Sequence, residues 1–265
     1  MREMSLDEVK KVEIDILDYI SELCDQNGLR YYLMAGTLIG AVRHKGFIPW
    51  DDDIDIGMPR PDYNKLKEIL KDDLHENRFK LLTYEYGNTD YNFMKVVDDR
   101  TILYEKYINT PTGVWVDVFP IDGLPTNSTI ARLLCYKLEF WRRLLSIHNA
   151  KLDIATSKKR LLIKRLIAPV AKIFSVGFLC KKVNNVFEKY DYDKCIYVGA
   201  VSGGFSYKAR IEKDVYEQSF VEFEGKKYAA PAGSDRLLSK LYGDYMQIPP
   251  VEKQIQHEFR AFWKD

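Results

Sequence analysis

From Trp50 to Gly57 the chain reads Trp-Asp-Asp-Asp-Ile-Asp-Ile-Gly, and this alternation constrains the fold more than any other stretch. An extended strand sends successive side chains to opposite faces. Asp53 and Asp55 therefore project to one side, with Asp51 roughly in line, while Ile54 and Ile56 anchor in the core. Carboxylates at alternate strand positions sit about 7 Å apart at Cα and converge on one cavity. Like charges so close raise one another's pKa unless a hard divalent cation with oxygen preference lies between them. The spacing points to Mg²⁺, with Mn²⁺ as a substitute. A solvated acidic turn would not need the alternating isoleucines. An EF-hand loop starting at Asp51 fails in detail: Ile56 stands where Gly makes the sharp turn, Asp62 where a bidentate Glu belongs, and Pro59 and Pro61 stiffen the second half.

A third acid joins this pattern. Asp117 lies inside Val114-Trp115-Val116-Asp117-Val118-Phe119, a strand apolar on both faces, where an unpaired carboxylate costs several kcal/mol. It needs a cation or hydrogen-bond donors. Asp122, just beyond Pro120, reads as a turn residue that caps or bends the backbone. Upstream, Ala35-Gly36-Thr37-Leu38-Ile39-Gly40 places small residues where a strand becomes a helix, so that a ligand phosphate can approach backbone N–H groups and the helix N-terminus at Gly36 and Thr37. A Gly-Thr pair, then a helix, then a strand bearing Asp-x-Asp is the order of the nucleotidyltransferase fold.

Composition narrows the class of partner. The 265 residues suit one large domain or one domain with an inserted subdomain, and 46% apolar with 30% charged residues suits a compact globule. Forty basic against thirty-nine acidic residues leave +1, so no global field recruits nucleic acid. Cys24, Cys135, Cys180 and Cys195 are too dispersed for a zinc site and too few for a disulfide scaffold, and read as free thiols. The N-terminus has no apolar secretory segment, and Lys164, Arg165, Pro169 and Lys172 interrupt the most apolar stretch, Leu161–Cys180. The expectation is a cytoplasmic enzyme that does not cross a membrane, able to sit peripherally at its inner face.

The pattern predicts an α+β chain. Ser5-Leu6-Asp7-Glu8 is a capping box opening an amphipathic helix that Gly28 stops. A strand over 30–34, a short helix through Val42, a strand from Trp50 to Met58 and a helix after Pro61 follow. Runs at 79–84, 92–97, 102–104 and 114–119 read as strands. Residues 1–129 form the expected catalytic core, 130–190 a mainly helical basic insertion or cap, and 191–265 a C-terminal α+β segment packed on the core, with a helix from Ser234 to Tyr242. Lys151–Lys182 holds nine Lys/Arg against the single acid Asp153. Interleaved with Leu161, Leu166 and Phe174, it reads either as a surface for an anionic bilayer or as an ordinary solvated helix pair.

The stretch from Gly36 through Arg43-His44-Lys45-Gly46 to Asp51-Asp52-Asp53-Ile54-Asp55-Ile56-Gly57 closely resembles the LicD family of phosphotransferases. The likeness continues in Phe93-Met94-Lys95, Val116-Asp117-Val118-Phe119-Pro120, Tyr242-Gly-Asp-Tyr-Met246, Pro249-Pro250 and His257, and is weakest across 130–190. The family, related to fukutin and fukutin-related protein, is similar to nucleotidyltransferases in fold and moves a phospho-alcohol from a CDP ester to a sugar hydroxyl, releasing CMP. The resemblance implies that Asp53, Asp55 and Asp117 hold Mg²⁺ and that Asp117 accepts the acceptor's proton. It makes Arg43, His44, Lys45 and Lys95 candidates for the diphosphate of CDP-choline or a related CDP-alcohol. His257 is a further candidate, and Trp50 and Trp115 are candidate walls for a choline ammonium. The implied acceptor is a cell-surface glycan precursor of teichoic acid or lipopolysaccharide type, lipid-linked in some settings. Two other classes stay open: a metal-dependent glycosyltransferase using a nucleotide sugar, and a non-catalytic choline- or glycan-binding module.

Overall fold

The computed structural model describes residues 1–72, 78–153, 157–254 and 258–264. In chain order the elements are β1 (Arg2–Glu3), α1 (Leu6–Asn27), β2 (Tyr32–Leu33), α2 (Ala35–His44), β3 (Ile54–Pro59), α3 (Arg60–Asp72), β4 (Phe79–Leu82), β5 (Met94–Asp98), β6 (Thr101–Glu105) and β7 (Trp115–Leu124). There follow α4 (Ser128–Asn149), α5 (Lys158–Ala171), α6 (Val176–Asn184), β8 (Tyr197–Gly199), β9 (Ile211–Glu212), β10 (Gln218–Phe223), β11 (Lys226–Pro231), α7 (Ser234–Tyr242) and β12 (Phe259–Trp263). The chain is α+β, as its pattern predicts, and all four cysteines are free.

Local chemistry sets the first helix. Ser5 Oγ accepts from Glu8 N at 3.2 Å while the Glu8 carboxylate accepts from Ser5 N at 2.9 Å, and Gly28 ends the helix with φ 61°. Val9, Val12, Ile16, Leu17, Ile20 and Cys24 form its buried stripe, each Val, Ile or Leu contributing about 1.5–3 kcal/mol on burial. Truncating one, as in Ile16→Ala, would cost about 2–5 kcal/mol.

The principal sheet runs β2-β3-β7-β5-β4. Strands β3 and β7 are parallel and the other neighbours antiparallel. Ile54 and Ile56 lie beside Val116 and Val118, and these four, all buried, line the core face. Helix α1 packs on β5 and β7, and α3 on β3, β4 and β7. Strand β6 leaves this sheet and pairs with β12, which pairs with β1, while β10 and β11 form a hairpin.

Three expectations change. The acidic strand begins at Ile54, not Trp50, because Asp51 N donates to Ile48 O at 2.9 Å and closes a turn through Pro49 and Trp50. The run 79–84 stops at Leu82 and passes into a single helical turn at Tyr84–Tyr86. Asp122 is no turn residue: β7 continues through Pro120 to Leu124. Proline is tolerated there because β5 pairs with β7 only up to Val118 and β8 joins only at Asp122, so along that edge Pro120 owes no N–H to a ladder.

Asp122 is fully buried and bidentate with Arg60, at 2.6 Å to Nε and 2.9 Å to Nη2, and accepts from Ser202 Oγ at 2.5 Å. Arg60 also donates to Asn184 Oδ1 at 3.1 Å, and Asn184 Nδ2 donates to Asn92 O at 2.8 Å. This satisfied network fastens α6 to the central sheet from which α3 departs. Helices α4 and α6 further share an apolar cluster with Leu124, Val201 and Ala209.

Candidate active site

Register brings the predicted acids together. Asp55 on β3 is the Cα partner of Asp117 on β7, and Asp117 is the partner of Lys95 on β5. Paired residues of neighbouring strands point to the same face about 4.5–5.5 Å apart, so Asp55, Asp117 and Lys95 form one row across three strands. Asp53 enters from the end of the preceding loop. The ligand oxygens of Asp51, Asp52 and Asp53 lie within 4.8 Å of one another.

The row is buried and charged. Lys95 is 2% exposed, with its Nζ 2.7 Å from Asp117 Oδ1 and 3.9 Å and 4.3 Å from the ring centroids of Trp115 and Tyr91. The ammonium is close to Asp117 Oδ1 but out of line, so among the described residues this buried oxygen has charge compensation without a well-aligned hydrogen bond. Burial pushes the Asp117 carboxyl up to about 6, with Lys95 opposing and Asp53 adding to the rise. Asp55 keeps part of its surface open, yet enclosure of its carboxyl, then the charges of Asp53, Asp117 and Asp51, drive it well above the ordinary carboxylate range. The crowding of Asp53, Asp55 and Asp117 suits a hard divalent ion such as Mg²⁺ or Mn²⁺, although among the described residues the trio whose ligand atoms already meet the spacing for one ion is Asp51, Asp52 and Asp53.

The small residues upstream serve the chain itself. A Cβ on Gly36 would lie 2.3 Å from Asp51 Oδ2, so an Asp51 carboxylate occupies the space beside the start of α2, where the helix dipole favours an anion. A Cβ on Gly40 would lie 2.4 Å from Gly46 O. Gly40 thus lets the descending loop cross α2 and deliver the acids to β3. Thr37 is buried, and its Oγ1 accepts from Asp55 N at 2.8 Å, locking α2 to the acidic strand.

The basic candidates separate. Arg43 donates from Nη1 to Tyr245 O at 2.6 Å and to Gln247 O at 3.3 Å, and from Nε to His44 Nε2 at 2.8 Å, tying α2 to the segment after α7. Its guanidinium lies 5.9 Å from the Trp50 ring. Burial and then Arg43 lower the His44 pKa, and Lys45 caps α2 in the left-handed conformation. Trp115 is 5% exposed with one face taken by Lys95. His257 lies outside the described residues.

Two residues were given no site role by the sequence, although Tyr242 opens one of the stretches that resemble the family. Glu13 on α1 is 2% exposed with Oε2 unpartnered among the described residues, and burial, then Asp53 and Asp52, raise it well above the ordinary range. Its signal was a carboxylate in phase with the apolar stripe, four residues after Val9 and three before Ile16. Tyr242, the last residue of α7, has its hydroxyl raised to about 12 by burial and then by Asp55, Asp51 and Asp53, so it lies within electrostatic reach of the acids. It is nonetheless 46% exposed.

A helix after β2, followed by acids on two adjacent parallel strands, is the arrangement of a nucleotidyltransferase-like domain, and the family model described as "LicD/FKTN/FKRP, nucleotidyltransferase domain" matches residues 28–141. The lipopolysaccharide cholinephosphotransferase LicD of Haemophilus influenzae is 32% identical over 272 residues, spanning 98% of each chain. The chain belongs to the LicD family. The ribitol 5-phosphate transferase FKRP of Homo sapiens is 37% identical over 51 residues, 19% of this chain and 10% of that protein. An uncharacterised protein of Rickettsia prowazekii is 40% identical over 98 residues, 37% of this chain and 29% of its own.

Proposed function

We propose that the protein is a phosphotransferase that moves a phospho-alcohol, phosphocholine from CDP-choline, onto a sugar hydroxyl of a cell-surface glycan precursor and releases CMP. The observation that carries this reading is the Asp55–Asp117–Lys95 row with Asp53 beside it. A relative matched along its whole length is named a lipopolysaccharide cholinephosphotransferase, which favours choline over ribitol. No observation favours nucleotide-sugar transfer or simple glycan binding.

Asp53, Asp55 and Asp117 would hold Mg²⁺, which when bound supplies charge neutralisation at the pyrophosphate. The acceptor hydroxyl oxygen forms a bond to the phosphorus bearing choline, and the bond from that phosphorus to the bridging oxygen breaks, its electron pair leaving with CMP. Asp117 takes the hydroxyl proton. Lys95, 2.7 Å away, keeps Asp117 in the ionised form that this role needs. Tyr242, within electrostatic reach of the acids and partly exposed, is the candidate aromatic face for the choline ammonium, a role Trp115 serves poorly with Lys95 already on its ring.

The test is CMP release from CDP-choline, CDP-ethanolamine and CDP-ribitol with Mg²⁺ and a panel of glycan acceptors. Turnover should be greatest with CDP-choline. Asp53→Asn and Asp55→Asn should abolish it while leaving the metal-free protein at least as stable, since each removes repulsion. Full turnover in either variant would refute the assignment of these acids.

A further inference from the structure

Helix α5 is built inside out. Its buried residues are the small Ala168 and Ala171, whereas Leu162, Leu166, Val170 and Ile173, the last just past its end, are between 51% and 76% exposed. Their spacing of four, four and three puts them on one outward stripe, where a solvated helix carries charge. Helix α4 repeats the arrangement with Leu133, Tyr136 and Phe140, between 55% and 66% exposed. Between the two helices runs a groove of about 340 Å³ whose walls include Phe140, Ile147, Ile163 and Ile167, with Arg143 among them. Phe140 belongs both to the α4 stripe and to the groove, and Ile163 and Ile167 in the groove adjoin Leu162 and Leu166 of the α5 stripe; exposed apolar residues clustered in this way mark an interaction site.

Charge identifies the partner. From Arg132 to Lys182 the chain holds thirteen Lys/Arg against Glu139 and Asp153, leaving 27 basic and 37 acidic residues elsewhere. The cations Lys158, Lys159, Arg165 and Lys172 lie on α5 or at its end, beside the outward stripe. Apolar side chains bordered by cations are the composition of a helix lying in the interface of an anionic leaflet. A nucleic acid would use the charge but leave the leucines unsatisfied. A second copy docked through the same face would set two strongly positive surfaces against each other. Among the described residues no helix is long and apolar enough to span a membrane, so the contact lies in the plane of the surface.

We propose that the outward face of α4 and α5 docks on an anionic lipid bilayer. This face would hold the enzyme against the plane in which a lipid-linked acceptor diffuses, and the docking does not depend on which phospho-alcohol is transferred.

The full-length protein is sedimented with vesicles of phosphatidylcholine alone, or of phosphatidylcholine with one third phosphatidylglycerol, at low and high salt. Binding should favour the anionic vesicles about tenfold or more and weaken with salt. Leu166→Asp with Val170→Asp should cut it about tenfold or more, with the circular dichroism unchanged and the melting temperature only slightly lowered, because more than half of each side chain is already in solvent. Lys158→Glu with Lys159→Glu should lower binding and flatten its salt dependence. Absence of binding to the anionic vesicles, equal binding to both vesicle types, or undiminished binding by the Leu166/Val170 variant would overturn the proposal. So would light scattering that shows a dimer dissolved by that same pair of substitutions.

Discussion

Replacing Lys95 by Met removes the cation from the acid row and keeps its length. The ammonium and Asp117 are 2.7 Å apart with side chains only 2% and 11% exposed, so Lys95→Met strands a buried carboxylate. Breaking such a pair from one side costs about 3–5 kcal/mol, to which the lost contacts with Trp115 and Tyr91 contribute about 0.5–2 kcal/mol. Against a total stability of about 5–15 kcal/mol this is a large fraction. Asp117→Asn strands the ammonium and should cost a similar amount. The double variant buries neither charge, so its loss should fall short of the sum of the single losses by about 2–3 kcal/mol. Urea unfolding of the four proteins without divalent ions reads this coupling directly. Losses that add to within about 0.5 kcal/mol would mean that the two charges are separately solvated, and the reasoning for a dry, paired row would fail. Activity cannot make this distinction, because both single variants should be inactive.

Tyr242→Ala should raise the KM for CDP-choline about fivefold to thirtyfold, the worth of about 1–2 kcal/mol of cation–π contact, and leave that for CDP-ribitol unchanged. Tyr242→Phe should behave as wild type, and an equal effect on both donors would remove the aromatic role. The Glu8 carboxyl, held to about 2 against an ordinary 4.5 by Arg2 and then by the Ser5 N–H, gives a pH signature. A depressed carboxylate contributes stability that is present above pH 4.5 and lost as pH falls toward 2. Melting temperatures of Glu8→Gln should therefore converge with wild type across that acid window and lie below it at neutral pH. A constant gap would refute the linkage.

The legible parts of this fold are those whose cause is local. The limits of α1 follow from Ser5, Glu8 and Gly28, and those of α7 match the expected Ser234–Tyr242. Asp122 was misread because Pro120 looks like the end of a strand. Only the gap between β5 and β8 along β7 makes that proline harmless, and the salt-bridge partner Arg60 lies 62 residues away. The sequence makes Gly36 and Thr37 room for a ligand, whereas the Asp51 carboxylate lies within a Cβ's reach of Gly36 and the Thr37 hydroxyl accepts from Asp55 N. A small residue signals close approach but not what approaches.

By itself the sequence determined that Asp55 would face away from the core between Ile54 and Ile56, since a period of two leaves no other placement, whereas Asp51 and Asp53 reach the site from a loop and not from the strand. It also marked Asp117 and Lys95 as groups too costly to bury alone. Tertiary structure decided that each compensates the other, through the register of β5 against β7. It also decided that Glu13 and Tyr242, from opposite ends of the chain, both feel the charges of Asp51 and Asp53. Burial cost is a property of a residue and its neighbours along the chain, but the partner that relieves it is chosen by strand pairing, which a linear pattern does not record.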